Sequence, residues 1–130
     1  MKQVQVDVQK KPWELATDGM VLAYSNVAAL KRYVKATGLE EGVLFAFEQG
    51  KLDLEGYYSW PVAIDGKLRL CVLLNIKDSK WRDGYAAVGR FLLDYKITSL
   101  SVACVDQLDD TSKLRHAKEA VEGLLLGQYR

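Results

Sequence analysis

Histidine is the scarcest chemically versatile residue in this chain of 130 residues, which contains His116 alone. With only two cysteines beside it, the chain cannot supply four Cys and His ligands to a zinc ion, nor the histidine pair of a zincin. Lys and Arg number 18 against 17 Asp and Glu, and a net charge of +1 disfavours a general nucleic-acid partner. These counts exclude hydrolytic and metal chemistry that depends on several histidine or cysteine ligands.

Long apolar segments are also missing. No run approaches the roughly 18 apolar residues that a membrane-spanning helix needs. The first 13 residues carry charges throughout and lack the apolar core of a signal peptide. Cys71 and Cys104 lie in apolar runs, which predicts two reduced thiols buried in neighbouring strands, with a disulfide or a reactive thiol as alternatives. We therefore expect a cytoplasmic protein with no membrane association.

Apolar runs and helical patterns alternate along the chain. Strands are predicted over 4–8, 20–24, 43–47, 68–76 and 100–105, and residues 51–74 are predicted to form two or three strands around a hairpin turn at Asp65-Gly66. This order predicts an α/β sheet flanked by helices, with a crossover between parallel strands, in a single domain of residues 1–130.

Three helices are predicted, two between these strands and one after the last strand. The first begins at Ser25 or Asn26 and ends near Gly38, and the second begins at Ser79. The third is capped by Asp109, Asp110 or Ser112. The apolar faces that we predict for the three helices are Val27, Leu30, Tyr33 and Val34; Trp81, Tyr85, Val88, Leu92 and Tyr95; and Leu114, Ala117, Val121, Leu124 and Leu125.

Several motifs suggest chemistry but favour structural roles. Gly84 and Gly89 have the spacing of a phosphate-binding loop, but Arg90 and Phe91 replace the Lys and Ser/Thr that this loop requires, so both glycines are predicted to pack against the sheet. The carboxylates of residues 109–110 are predicted to cap a helix rather than to act as an acid/base pair. His116, between basic neighbours, is predicted to be a solvated surface residue.

Aromatic residues give the strongest indication of a binding surface. Tyr57, Tyr58 and Trp60 form the densest aromatic cluster, next to Pro61 in a turn-rich segment. Together with Trp81 they are the candidate interface or ligand platform, because such side chains supply large contact areas. The alternative is that they close one end of a small core.

A family resemblance extends along most of the chain. The segment 87–102, AVGRFLLDYKITSLSV, and the ending 120–130, AVEGLLLGQYR, resemble the N-terminal domain of the leucyl (cytosol) aminopeptidase family, which has a helix running into Leu-Gly-x-Tyr-Arg. The apolar strand 70–76 and the segment 16–22 also follow that pattern.

The resemblance implies a three-layer, macro-domain-like α/β fold, a mixed sheet flanked by helices. It also implies a non-catalytic domain that assembles an oligomer and positions a peptidase domain. In the family, catalysis belongs to a following domain that holds two divalent metal ions, zinc or manganese, with an Asn-Thr-Asp-Ala-Glu-Gly-Arg motif. That motif does not occur here, so no catalytic, metal or cofactor residue is assigned to this chain, and only a full-length parent would be an enzyme. Self-association or a C-terminal peptidase domain are the expected partners.

The relation to macro domains raises an alternative: a free-standing module that binds a nucleotide or an ADP-ribose-type ligand. Such sites bring the backbone amides of glycine-rich loops against a diphosphate. The corresponding loops here, residues 77–80 and 106–112, contain no glycine, which disfavours this alternative.

Overall fold

A computed structural model describes residues 3–6, 17–37, 56–64, 66–76, 80–95, 97, 99–106 and 108–128. The strands within these ranges are Gln3–Val6 (β1), Gly19–Tyr24 (β2), Gly56–Ile64 (β3), Lys67–Asn75 (β4) and Ser99–Cys104 (β5). The helices of the described residues are Val27–Thr37 (α1), Trp81–Phe91 (α2) and Asp110–Gln128 (α3), and α2 continues into a 3-10 turn, Leu92–Asp94. No helix in these ranges is both long enough and apolar enough to cross a membrane.

The five strands that the structure describes join one mixed sheet in the order β1-β5-β2-β4-β3. The first four strands in this order are parallel, whereas β3 pairs with β4 in the antiparallel direction. The predicted hairpin is confirmed: β3 and β4 flank residues 65–66, and Gly66 has the positive φ of 76° that a tight turn favours. The predicted mixture of strands and helices in an α/β arrangement is likewise confirmed.

The central strand β2 is buried along its whole length. Its alternate residues Val21 and Ala23 belong to a core formed with α2 and α3. Met20, Leu22 and Tyr24 belong to a second core on the opposite face, which includes Leu30 and Val34 of α1. Helices therefore cover both faces of the sheet, as a largely parallel sheet requires.

A buried polar network joins three strands near their amino ends. The Arg69 Nε donates to the Thr17 carbonyl at 2.7 Å, and its Nη2 donates to Thr17 Oγ1 at 2.9 Å. Thr17 Oγ1 in turn lies 3.1 Å from Ser101 Oγ and donates to the Gly19 carbonyl at 3.0 Å. The network satisfies polar groups that would otherwise be costly to bury, and it fixes β2, β4 and β5 relative to one another.

Two of the predicted helix caps are confirmed. Asn26 Oδ1 accepts the Ala29 amide at 3.2 Å, and Asp109 Oδ1 accepts the Ser112 amide at 2.7 Å, so each side chain caps its helix. The predicted cap Ser79, the helix end at Gly38 and the strand at 43–47 lie outside the described residues. Lys80 occupies the N-cap position of α2 without a side-chain hydrogen bond.

The predicted inner face of α2 is correct except at its end. Trp81, Tyr85, Val88 and Leu92 are buried, whereas Tyr95 is half-exposed because the helix has already given way to the 3-10 turn.

The predicted inner face of α3 is correct at Leu124, which is buried, and wrong at Leu114 and Leu125. Leu114 is 74% exposed and Leu125 is 52% exposed, so neither belongs to the core. The face that is buried consists mainly of small residues: His116, Ala120, Gly123, Leu124 and Gly127. The prediction followed the periodicity of apolar side chains, but the orientation of α3 is set by glycines that allow its backbone to approach α2.

Close contact between α2 and α3 explains this preference. A Cβ placed on Gly89 would lie 2.6 Å from the Leu124 carbonyl oxygen. A Cβ on Gly123 would collide with the Arg82 carbonyl, and one on Gly127 with the Ala86 carbonyl. Gly84 does pack against the sheet, as predicted, but Gly89 instead contacts the backbone of α3. The glycines allow the two helix backbones to touch.

Alanine substitutions of Gly89 and Gly84 should differ in their effect on stability, because Gly89 contacts the α3 backbone and Gly84 contacts side chains of the sheet. Gly89→Ala meets rigid backbone, so we expect a loss of about 1–2 kcal/mol in the free energy of unfolding, despite alanine's helix-propensity advantage of about 1 kcal/mol. Gly84→Ala is the matched control. There the new methyl meets the movable side-chain ends of Ile76 and Leu74 at 3.2 and 3.3 Å, and we expect little net change. Urea denaturation measures both, and equal stability of the two variants would contradict the helix-contact account.

Candidate functional site

The predicted aromatic residues are distributed over different parts of the fold. Tyr57 lies in β3 with 42% of its surface exposed, and its ring centroid is 4.8 Å from that of Phe91 in α2. The Phe91 ring is 4.9 Å from the Tyr95 ring. Tyr57, Phe91 and Tyr95 therefore form an aromatic row near the edge strand β3, and both tyrosines of the row are exposed.

Tyr58 and Trp60 lie on the other face of β3. Their ring centroids are 5.9 Å apart, and both side chains pack against the core that contains α1. Alternation along a strand accounts for this separation from Tyr57, because successive side chains point to opposite faces.

Trp81 lies apart from the three β3 residues, in the first turn of α2. It is 4% exposed, its ring makes an edge-on contact with His116, and the Arg115 guanidinium lies 5.2 Å from its centroid. The four candidate residues thus do not form one platform. The contact of Tyr57, Tyr58 and Trp60 with a partner or a ligand stays a prediction.

A polar cluster that the sequence reasoning did not identify lies at the carboxyl edge of the parallel strands. Asp106 follows β5, and Ser25 and Asn26 follow the adjacent strand β2. Asp106 Oδ2 accepts hydrogen bonds from the Ser25 hydroxyl at 2.6 Å and the Ser25 amide at 3.0 Å. Asp106 Oδ1 accepts the Asn26 amide at 3.4 Å. The signal that could have revealed the cluster is the position of both segments directly after parallel strands.

This arrangement has a direct consequence for ligand binding. Ligands of open α/β sheets bind at the carboxyl ends of the strands, and the amides at a helix N-terminus are suited to hold a phosphate. Here the amides that precede α1 donate to the Asp106 carboxylate. The Asp106 carboxylate, which follows β5, therefore occupies the amides before α1 that a bound phosphate could otherwise use.

His116 is not the solvated residue that its basic neighbours suggested. It is 1% exposed, and its Nε2 forms a hydrogen bond of 2.7 Å with the Tyr85 hydroxyl. Burial lowers the pKa of His116 from 6.5 to about 4, although the charges of Glu119 and Asp106 act in the opposite direction. Burial also raises the pKa of Tyr85 well above 10, so the hydroxyl remains a donor. The imidazole is neutral at pH 7 and serves as a core residue.

Neither cysteine has the environment of a reactive thiolate. Burial raises the pKa of the Cys104 thiol to about 12, and burial also raises that of Cys71. Both are free, which agrees with the prediction of reduced thiols, but Cys71 is buried as predicted and Cys104 is only partly buried. Their strands are not neighbours, however, because β2 lies between β4 and β5.

Acidic, histidine and cysteine side chains are the groups that could hold a metal ion. Within the described ranges, no three of these side chains come together in a way that could hold a metal ion.

Comparison with known proteins gives no match. No family model, curated protein or solved structure matches the chain.

Removal of the Asp106 carboxylate should destabilise the carboxyl edge. Asp106→Ala leaves the Ser25 and Asn26 amides without this acceptor, and we expect a loss of about 1–2 kcal/mol in the free energy of unfolding. Asp106→Asn keeps an acceptor oxygen and should lose less. Chemical denaturation checks the order of the three proteins, and an alanine variant as stable as the parent would contradict the structural role of Asp106.

Burial of neutral His116 makes stability depend on pH. The pKa in the folded state lies below the ordinary value of 6.5, so the unfolded chain binds more protons between pH 6.5 and about 4. The stability contribution is complete above pH 6.5 and falls as the pH drops, by about 1.4 kcal/mol per pH unit at most. His116→Gln retains an acceptor for Tyr85 and removes this titration. Urea unfolding at pH 7 and pH 5 should show a smaller difference for the variant, and an unchanged difference would refute the assignment.

Proposed function

We propose that this chain is a non-catalytic domain of a leucyl-aminopeptidase-like protein. Its proposed role is to assemble an oligomer and to position a peptidase domain that carries the two divalent metal ions. The segments 87–102 and 120–130 support this parentage through their resemblance to that family. The mixed sheet between helices is compatible with the macro-domain-like fold that the resemblance implies.

The observation that most supports this proposal is that Asp106 accepts hydrogen bonds at the carboxyl edge of the sheet. The Ser25 and Asn26 amides, at the position where an open α/β sheet would bind a ligand, are hydrogen-bonded to the protein's own carboxylate. A phosphate group would have to displace Asp106 to reach these amides. This arrangement supports a structural role for the edge over the nucleotide-binding alternative.

The environments of the nucleophile and base candidates support a non-catalytic role. Cys71 and His116 are buried, and the hydroxyl of Tyr85 is engaged by the imidazole. A general base needs a pKa near the working pH and a nucleophile within reach. Because His116 has a pKa of about 4, it does not meet the first requirement at neutral pH.

Exposed aromatic surface supports a role in association. Tyr57 and Tyr95 are 42% and 46% exposed, and Phe91 lies between their rings. Aromatic side chains lose little conformational freedom on binding and bury a large area, which makes them frequent anchors of protein interfaces. The aromatic row is thus a surface suited to a neighbouring peptidase domain.

The proposed function predicts a purified chain without peptidase activity. With a leucyl anilide substrate and added manganese or zinc, we expect no hydrolysis above the uncatalysed rate. Fusion or co-expression with the peptidase domain of the parent should give an active oligomer. Metal-dependent turnover by residues 1–130 alone would overturn the proposal.

A binding measurement separates the alternative function. Titration calorimetry with ADP-ribose should give no saturable heat, because Asp106 opposes an anion at the carboxyl edge. Submicromolar binding of ADP-ribose would instead establish a ligand-binding module.

A further inference from the structure

Helix α3 has a second apolar face that its contacts with α2 do not use. This outer stripe consists of Leu114, Ala117, Val121 and Leu125, at spacings of three, four and four residues. Leu114 and Leu125 are 74% and 52% exposed, while Ala117 and Val121 are half-buried. These spacings place the four side chains on one side of the helix.

The outer stripe differs from isolated apolar residues on a surface. A single exposed leucine needs no explanation, but a row at helical spacing is the pattern by which a helix binds a partner. The contact with α2 occupies a separate face of the same helix, which contains Ala120, Gly123 and Gly127. Helix α3 therefore has one apolar face fixed within the fold and another whose two end residues, Leu114 and Leu125, are exposed.

We propose that the outer stripe binds the outer stripe of a second copy of this chain, with the two α3 helices antiparallel about a two-fold axis. The proposal rests on the assembly role proposed above and names the surface that performs it.

The spacing of the stripe is self-complementary for this arrangement. In an antiparallel pair, residues equally distant from the axis face each other across it. An axis at the level of residues 119–120 brings Leu114 opposite Leu125 of the second copy. The same axis brings Ala117 opposite Val121, so each large or branched side chain meets an apolar side chain.

Charge complementarity supports the same axis. Lys118 and Glu122 border the outer stripe, and their side chains are 76% and 42% exposed. The two side chains are 3.9 Å apart within one helix. Their midpoint is residue 120, so the axis that pairs the apolar residues also places Lys118 of each copy beside Glu122 of the other. No like charges at these positions then face each other, which favours this partner and this register.

Two adjacent leucines provide a matched test of the surface. Leu125→Glu introduces a charge into the outer stripe, whereas Leu126→Glu introduces the same charge about 100° around the helix. The two leucines are 52% and 49% exposed, so neither change should unfold the domain, as circular dichroism can verify. Sedimentation equilibrium should show a dimer for the parent chain and for Leu126→Glu. For Leu125→Glu, the dissociation constant should rise about tenfold or more.

Two charge variants test the register and the antiparallel direction. Lys118→Glu and Glu122→Lys each place like charges across the proposed axis, and each should weaken self-association about two- to fivefold. An equimolar mixture of the two variants should form a heterodimer in which opposite charges face each other again. An effect confined to the pair within one helix would not be restored by mixing. The restoration is therefore specific to contacts between copies.

The outcomes distinguish the interface from the proposed function. A dimer that responds to Leu125→Glu, tolerates Leu126→Glu and recovers on mixing supports the interface. A monomeric parent chain overturns it and leaves the role in positioning a peptidase domain intact. Self-association that is insensitive to Leu125→Glu and to mixing also overturns it, but leaves an assembly role through another surface. Failure of the proposed function has a separate readout, the metal-dependent hydrolysis described above.

Discussion

The complete burial of β2 is the constraint on which the rest of the structure depends. All six of its residues are buried, and their side chains alternate between two cores. Both faces must then be covered, which places α1 on one side and α2 with α3 on the other. Burial also requires partners for the polar groups at both ends of the strand. Thr17 Oγ1 donates to the buried Gly19 carbonyl at the amino end, and Asp106 accepts the exposed Ser25 amide just beyond the carboxyl end.

Features that depend on local pattern could be predicted from the sequence. The apolar run containing Met20 indicated β2, and Asp65-Gly66 indicated the turn between β3 and β4. The inner face of α2 followed from the recurrence of Trp81, Tyr85 and Val88, because these side chains are large and also lie on the packed face. In each case, the feature visible in the sequence, an apolar run, a turn dipeptide or a helical period, is also the feature that determines the local structure.

The orientation of α3 could not be predicted in the same way, because its apolar residues lie on two faces. Periodicity favoured the face with Leu114 and Leu125, but Gly123 and Gly127 allow the closer approach to α2. The same orientation of α3 places His116 in the core, because His116 lies on the face with these glycines. The Asp106 cluster escaped prediction for a different reason, since its partners are about 80 residues away and meet only when β5 pairs with β2.

The glycine contacts between α2 and α3 have a consequence for the exposed side of α3. A helix whose backbone rests directly on another backbone has little freedom to shift or to rotate. The outer stripe is consequently held in place before any partner arrives. Association at such a surface would lose mainly side-chain freedom, without the entropy cost of ordering a segment. The glycines on one side of α3 thus fix the position of the exposed leucines on the other side.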